Sequence, residues 1–281
     1  GLGCSVQLGL QSADPAVLAA VGRDFDPEDF GEKALLLHEA GVVYGFDLVY
    51  GLPGDDLAGF RASLDYALGL APNHLDLFPL AVLPGTRLAE TAAGLGLLHL
   101  PEPPYTVVSS AGMSAAELGR AAGLAEACRL LYVRAGAVAW FQLALDALAL
   151  RPSELLADFA EWTAGRPAVP SAAKTSEQAA QGLAKDFLAE EFPRRGRPEL
   201  AAAAVDLVEW FAVTDRLLAL DEAAAAAGLE TRFAHDPAEL GRQLKAGLRD
   251  LAELAFFVPR RPALRRARLV DGGFLFDERD D

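Results

Sequence analysis

Two polar side chains stand where they could bind a ligand, because each lies in or directly after a short apolar segment. Gln11 follows the first such segment, and Asp47 lies inside the apolar run 42–50. A buried carboxylate is costly unless it has a hydrogen-bond donor or a cation as its partner. That partner could be a hydroxyl of a bound ribose, an arginine such as Arg23 or a backbone amide. Alternatively, Asp47 only braces the Gly51-Leu-Pro-Gly54 turn that ends the run.

The sequence lacks the short motifs of several enzyme classes. It has no G-x-x-x-x-G-K-[ST] phosphate loop, no H-E-x-x-H, no G-x-S-x-G elbow and no clean G-x-G-x-x-G between a strand and a helix. Cys4 and Cys128 are too far apart in sequence to form a disulfide framework or a close-spaced metal site. The four histidines are scattered, and we assign none of them as a metal ligand. We therefore predict no metal site within the chain itself.

The composition predicts a globular, acidic protein. Of the 281 residues, 52% are hydrophobic and 23% are charged, which is enough apolar material for a sizeable core. The 40 acidic and 25 basic side chains give a net charge of −15, so the surface should repel nucleic acids and anionic membranes. No apolar run approaches the about 20 residues of a membrane span, and no signal peptide is visible. We expect a cytoplasmic protein that binds neither nucleic acid nor membrane.

Strand-like and helix-like segments alternate through the first hundred residues. This alternation predicts an α/β fold with a parallel sheet and right-handed crossovers, as in doubly wound folds and (β/α) barrels. Asp26 is placed to cap the second helix, with Pro27 at its first position, and Thr86 is placed to cap the last. The predicted strands are 5–10, 42–50 and 74–82, and the predicted helices are 15–40 with a break near 23–27, 55–70 and 86–95.

Beyond residue 100 the strand signal fades and helical patterns dominate. Residues 166–174 combine prolines with small residues, which predicts a linker. We therefore predict three regions, 1–100, 101–166 and 167–281, of which the last is mostly helical. Helices are predicted at 115–150, 153–165, 176–191, 198–220 and 237–254, and β-structure at 255–258 and at 267–276 around the turn at Asp271-Gly-Gly273.

Four ordered segments of the sequence resemble the second half of a radical S-adenosylmethionine (SAM) barrel. They are Gln7-Leu-Gly-Leu-Gln-Ser12, Gly22-Arg23, Asp47-Leu-Val-Tyr-Gly-Leu-Pro53 and Leu80-Ala-Val-Leu-Pro-Gly-Thr86. The subgroup that they resemble contains oxygen-independent coproporphyrinogen dehydrogenase. The likeness is greater to radical SAM enzymes with a cobalamin-binding domain, which Pro103-Pro-Tyr105 also resembles. The resemblance implies a partial (β/α), or TIM-type, barrel of about three βα units, followed by a mostly helical C-terminal region.

The resemblance also implies a role for five residues. Gln11 and Asp47 would hydrogen-bond the ribose of SAM, and Arg23 would pair with its methionyl carboxylate, for which a planar guanidinium is well suited. Val49 and Ala81 would line the adenine. Two ordinary interpretations stay open: the arginine pairs only with a neighbouring aspartate, and the two apolar residues belong to the core.

The chain lacks the cysteines that this chemistry requires. Radical SAM enzymes hold a 4Fe-4S cluster on three thiolates, and the sequence has no C-x-x-x-C-x-x-C. The cluster loop follows the first barrel strand in the family, whereas this sequence opens on what resembles the fourth. We therefore expect the cluster ligands upstream of Gly1 and interpret the chain as an inactive C-terminal fragment whose strand 5–10 forms an exposed sheet edge. By resemblance we also expect a reductant such as flavodoxin or ferredoxin, and possible use of cobalamin held in an upstream domain.

Several hypotheses for the function follow. The leading one is the C-terminal part of a radical SAM enzyme that performs methyl transfer or rearrangement on a small molecule, with the loop 101–105 contributing to specificity. A close rival is a coproporphyrinogen-type oxidation by the same radical. A non-enzymatic interaction module is favoured if helices 115–133 and 198–220 expose apolar stripes. The last is a complete small α/β enzyme that uses Asp47 for acid–base chemistry, which would need a raised carboxylate pKa and a closed pocket.

Overall fold

A computed structural model describes residues 5–166 and 169–278 of the chain. The strands are β1 (Ser5–Gln11), β2 (Val43–Tyr50), β3 (His74–Pro79), β4 (Leu98–His99), β5 (Val107–Ser109), β6 (Leu229–His235), β7 (Arg260–Val270) and β8 (Gly273–Glu278). The α-helices are α1 (Pro15–Ala20), α2 (Pro27–Glu39), α3 (Leu57–Gly69), α4 (Arg87–Thr91), α5 (Ala115–Ala127), α6 (Phe141–Leu148), α7 (Pro152–Ala164), α8 (Glu177–Arg194), α9 (Pro198–Leu218), α10 (Glu222–Ala227), α11 (Pro237–Lys245) and α12 (Leu251–Phe257).

The chain divides into two compact units. The first consists of Gly1–Arg129 and Arg151–Pro167, and the second consists of Leu130–Leu150 and Ala168–Asp281. The predicted linker 166–174 includes residues 167 and 168, which lie outside the described residues. The division into three regions stays a prediction.

The first unit is built on a parallel sheet with the strand order β1-β2-β3. These strands and the helices between them lie close to their predicted positions, so the predicted β-α-β order with parallel pairing is confirmed. β1 occupies an edge of this sheet. Three parallel strands are compatible with a doubly wound fold as well as with a barrel, so the partial barrel stays a prediction.

One face of this sheet is apolar and covered by helices. Along β2, Phe46 and Tyr50 are buried and alternate with residues of the opposite face, among them Asp47. Phe30 of α2 packs against Phe46 with the ring centroids 5.2 Å apart, and Phe60 of α3 packs against Tyr50 at 5.6 Å. Because both helices cover the apolar side, the polar side chains of the strands lie on the other one.

Each of the first four helices has a capping side chain at its N-terminus. Asp14 accepts hydrogen bonds from two backbone N–H groups at the start of α1, and Asp26 does the same for α2, as predicted. Asp56 caps α3 and Thr86 caps α4, each accepting one such bond. The cap of α4 is confirmed, but α3 begins at Leu57 after its cap Asp56, two residues beyond the predicted start at Asp55. Since α1, α3 and α4 each follow a strand of the sheet, their caps hold the loops at its carboxyl edge.

In the second unit, α9 packs along an antiparallel sheet with the strand order β6-β7-β8. Asp206 of α9 is buried, accepts a hydrogen bond from the backbone N–H of His235 and lies 2.8 Å from Nδ1 of the same residue. Glu209 accepts from Thr231 Oγ1 of β6 and from Lys185 Nζ of α8, both at 2.5 Å. Buried polar contacts of this kind fix the position of α9 on β6.

The structure corrects several predictions for the C-terminal half. The predicted strand 255–258 is largely the end of α12, which buries Leu251 and Leu254 at helical spacing. The predicted helix 237–254 is two helices, α11 and α12, and Gly247 between them has a φ of 84°. Neither β6 nor α10 was predicted, whereas the hairpin of β7 and β8 around Asp271 is confirmed. Within the described residues, every helix is too short or too polar to cross a membrane.

Candidate functional site

The polar face of the parallel sheet carries most of the predicted site. Gly9 of β1 lies in register with Asp47 of β2, and Asp47 lies in register with Asp76 of β3. Residues in register on parallel strands point to the same side of a sheet. We call this side the polar face and define it by Gln7, Asp47, His74 and Asp76.

The partner of Asp47 is an amide on the neighbouring strand. Gln7 Nε2 donates a hydrogen bond of 2.7 Å to Asp47 Oδ1. The Gln7 side chain passes over Gly45, where a Cβ would stand 2.4 Å from Gln7 Oε1 and 2.9 Å from His74 Cβ. A side-chain amide is not among the partners of Asp47 that the sequence predicted. Among the described residues, the Asp47 carboxylate makes no hydrogen bond to the Gly51-Leu-Pro-Gly54 turn, so its observed role is to tie β1 to β2.

A backbone irregularity turns Gln11 onto the same face. The register of β1 on β2 shifts between Gly9 and Gln11, and Gln11 has a φ of 66°, which is uncommon for a residue other than glycine. Its Nε2 lies 3.9 Å from the point where a Cβ on Gly9 would stand. The amide of Gln11 therefore lies above Gly9, one strand away from Asp47.

Arg23 reaches the same point from the end of α1. Gly22, with a φ of 76°, ends the helix in a Schellman arrangement in which the Arg23 N–H donates to the Leu18 carbonyl. The guanidinium then returns to β1: Nη2 donates to the Gly9 carbonyl at 2.9 Å, and Nη1 lies 3.7 Å from the Cβ position of Gly9. In the described part of the chain, Arg23 forms no ion pair with Asp24 or Asp26, so that alternative is not observed.

A cavity of about 500 Å³ opens beside these residues. Gln11 and Val49 line it, together with the end of α1, Leu80 after β3, and Leu88 of α4. Arg23 lies in a neighbouring groove of about 440 Å³ that shares Ala19 with the cavity.

Ala81 lies at the edge of the same region. It is half-buried and forms an isolated antiparallel bridge with Thr106, and the neighbouring Leu80 lines the cavity. The predicted site residues thus form three groups. Gln11 and Arg23 lie above Gly9, whose register partner on β2 is Asp47. Gln11 and Val49 share the cavity, and Ala81 joins the loop that follows Pro101.

Asp55, the first residue of the predicted helix 55–70, is a further candidate site residue. It is 2% exposed, its Oδ1 accepts from the Asp56 N–H at 2.9 Å, and its Oδ2 has no hydrogen-bond partner in the described residues. Burial, assisted by the nearby carboxylates of Asp56 and Asp14, raises the pKa of Asp55 to about 6. The sequence signal is the pair of acidic residues after Gly54, of which one alone caps α3.

The described residues do not fit an iron–sulfur cluster. Cys128 is buried, and burial raises the pKa of its thiol, which disfavours the thiolate that a metal requires. Cys4 lies outside the described residues. No group of three or more His, Cys, Asp or Glu residues in positions 5–166 and 169–278 is arranged to hold a metal ion.

Comparison with known proteins shows a partial, general relationship to radical SAM proteins. Over 90 residues, 30% of this chain and 22% of the relative, the chain is 37% identical to the heme chaperone HemW of Mycobacterium tuberculosis. Over 92 residues, 32% of this chain and 20% of the relative, it is 33% identical to the oxygen-independent coproporphyrinogen III oxidase of Bradyrhizobium diazoefficiens. Over 97 residues, 33% of this chain and 22% of the relative, it is 36% identical to the tRNA-2-methylthio-N(6)-dimethylallyladenosine synthase of Pelobacter propionicus.

These similarities are limited in extent. The matched region spans about a fifth of the length of each relative, and no family model matches the chain. They support the general radical SAM relationship that the sequence motifs indicate. The subgroup with a cobalamin-binding domain stays a prediction.

The contact between Gln7 and Asp47 requires glycine at position 45. Gly45→Ala would place a methyl group against Gln7 Oε1 and against the His74 backbone, so we expect a loss of about 1–3 kcal/mol in the free energy of unfolding. Gly9→Ala is the matched control, because a Cβ there meets ordinary van der Waals distances of 3.7 and 3.9 Å. Urea denaturation of both variants measures the difference, and equal stabilities would contradict the described packing.

The burial of Asp55 predicts a pH-dependent stability. Because the folded state favours the protonated form, the contribution of Asp55 to the free energy of unfolding should fall as the pH rises from about 4, where the unfolded carboxyl ionises, to about 6. Asp55→Asn should remove this fall and stabilise the protein by about 3 kcal/mol at pH 8. The exposed Asp24→Asn is the control. An unchanged pH profile in Asp55→Asn, measured by denaturation between pH 4 and pH 8, would contradict this assignment.

Proposed function

We propose that this chain supplies part of the SAM site of a radical SAM enzyme. The observation that carries the proposal is the meeting of Gln11 and Arg23 above Gly9, beside Asp47 on the adjacent strand. The partial sequence relationship to radical SAM proteins supports it independently. In this account the ligand lies across the carboxyl edge of the sheet, where parallel α/β folds place their ligands.

The three polar side chains retain capacity to bind SAM. Arg23 uses Nη2 for the Gly9 carbonyl, which leaves its other N–H groups for a carboxylate. Asp47 Oδ1 is bonded to Gln7, and its Oδ2 can accept from a ribose hydroxyl. Gln11 offers both a donor and an acceptor, and Val49 places a β-branched apolar wall in the adjoining cavity. When bound beside a reduced 4Fe-4S cluster, SAM supplies a 5′-deoxyadenosyl radical.

The cluster itself is outside this proposal. The chain has two cysteines where the cluster takes three thiolates, and Cys128 is buried as a thiol. The role proposed here is to bind and orient SAM through Gln11, Arg23 and Asp47.

The net charge of −15 favours a small molecule over a nucleic acid as the second reactant. One relative is named for a tRNA product, and two are named for heme or coproporphyrinogen. A strongly acidic surface repels a polyanion such as tRNA, so we favour a small-molecule substrate. Two reactions are proposed for it: a methyl transfer or rearrangement, and a coproporphyrinogen-type oxidation. Dependence on cobalamin and reduction by flavodoxin or ferredoxin stay predictions.

The interaction-module alternative has little support. It required exposed apolar stripes on helices 115–133 and 198–220. Leu118 and Leu124 of α5 are buried, as are Leu207 and Leu217 of α9, and the large exposed apolar residues of the second segment lie at its end, at Leu218 and Leu220. Among the described residues no stripe runs along either helix.

The test is a titration of the 281-residue chain with SAM, in which isothermal titration calorimetry measures the binding affinity. Asp47→Asn keeps an acceptor for Gln7 but removes the charge that would bind the ribose, so we expect about tenfold weaker binding. Asp76→Asn is the matched control, because Asp76 lies in register with Asp47 on the same face and loses the same charge. Equal losses in the two variants, or no binding of SAM by the unmodified chain, would contradict the proposal.

A further inference from the structure

We propose that the cavity beside Gln11 also binds a second, largely apolar small molecule, and that Arg87 recognises its carboxylate group. This inference rests on the proposed function, because SAM is taken to occupy the Gln11 and Arg23 side of the region. The sequence motifs assign no role to Arg87. It lies directly after Thr86, the last residue of the fourth segment that resembles the radical SAM barrel.

The cavity has two different walls. Gln11 and Val49 of the sheet form one, and both also belong to the proposed SAM site. The helix α4 forms the other, with Arg87, Leu88 and Thr91. A volume of about 500 Å³ is within the range of small-molecule sites, which are mostly apolar with a few placed polar groups.

Arg87 is the cation that this cavity offers. Within the described residues, its guanidinium has no ion pair and no hydrogen bond, although acidic residues outnumber basic ones in the chain by 40 to 25. Many other arginines do have acidic partners, such as Arg151 with Glu154 at 2.8 Å and Arg194 with Glu191 at 2.6 Å. An arginine without a protein partner at the rim of an apolar cavity is suited to an anion brought by a ligand.

The backbone around Arg87 is held firmly. Thr86 Oγ1 donates to the Leu83 carbonyl at 2.7 Å and accepts from the Ala89 N–H at 3.3 Å, which fixes the start of α4. Arg87 therefore projects from a defined position next to Leu88. Its planar fork matches a carboxylate better than a lysine would, and because Arg87 is exposed, a ligand can reach it from solvent.

The anion cannot be the carboxylate of SAM in the proposed orientation. That group is assigned to Arg23, which lies in the neighbouring groove and not in the cavity with Arg87. One SAM molecule carries a single carboxylate, so a second anion belongs to a second molecule. The inferred ligand class is therefore an apolar carboxylic acid of small size.

The experiment compares 1-naphthoate with 1-naphthylmethanol, which share an aromatic body and differ in charge. Binding to the 281-residue chain is followed by NMR through the methyl signals of Val49 and Leu88, which line the cavity. We expect the carboxylate to bind about three- to tenfold more tightly than the alcohol, in line with a charge-assisted hydrogen bond at a partly exposed site.

Arg87→Gln should abolish this preference and leave binding of the alcohol unchanged. Arg120→Gln is the matched control, because Arg120 is an exposed arginine of α5 that lies outside the cavity. An equal preference for naphthoate in Arg87→Gln, or shifts confined to residues outside the cavity, would overturn the inference.

A SAM titration of the same variants separates this inference from the proposed function. Arg87→Gln should leave SAM affinity unchanged. If Arg87→Gln weakens the binding of SAM as much as the binding of naphthoate, Arg87 belongs to the SAM site and the inference of a second molecule is wrong. If the preference for naphthoate depends on Arg87 but SAM does not bind the chain, the carboxylate site is supported and the proposed function is wrong.

Discussion

The first unit depends on the separation of its parallel sheet into an apolar face and a polar face. Helices α2 and α3 bury the apolar face, and the hydrogen bond from Gln7 to Asp47 joins β1 to β2 across the polar one. This bond passes over Gly45, which explains why a glycine occupies the middle of a strand. A carboxylate in β2 is tolerated because it is half-buried, bonded to an amide and directed away from the packed helices.

Two backbone features then bring the remaining polar groups to one place. The irregularity in β1 turns Gln11 over Gly9, and the glycine-terminated end of α1 returns Arg23 to the Gly9 carbonyl. An amide, a guanidinium and a carboxylate are thus adjacent through backbone geometry and not through mutual ion pairing. Such an arrangement leaves hydrogen-bonding capacity for a ligand, which is the physical basis of the proposed SAM site.

Local patterns in the sequence were enough to predict β1 to β3 and α1 to α4, because strand alternation, Asp26 and Thr86 caps and turn glycines act over a few residues. They missed the short strands β4 and β5, and the predicted helix 115–150 is interrupted after α5. Local patterns did not reveal contacts between distant residues. The hydrogen bond between Gln7 and Asp47 and the position of Arg87 in a cavity wall both depend on how the strands and helices assemble. The error at Asp55 has a similar cause, since two adjacent aspartates can cap a helix equally well in sequence. In the second unit, an alanine-rich composition hid the boundaries of α10, and β6 is ordered by the α9 residues Asp206 and Glu209, which lie far from it in sequence.

A crystal structure of the chain grown with SAM tests the central claim most directly. We predict that the methionyl carboxylate lies at Arg23, the ribose between Gln11 and Asp47, and the adenine against Val49. Density for SAM in another location, or an ordered ligand whose ribose contacts none of these side chains, would contradict it.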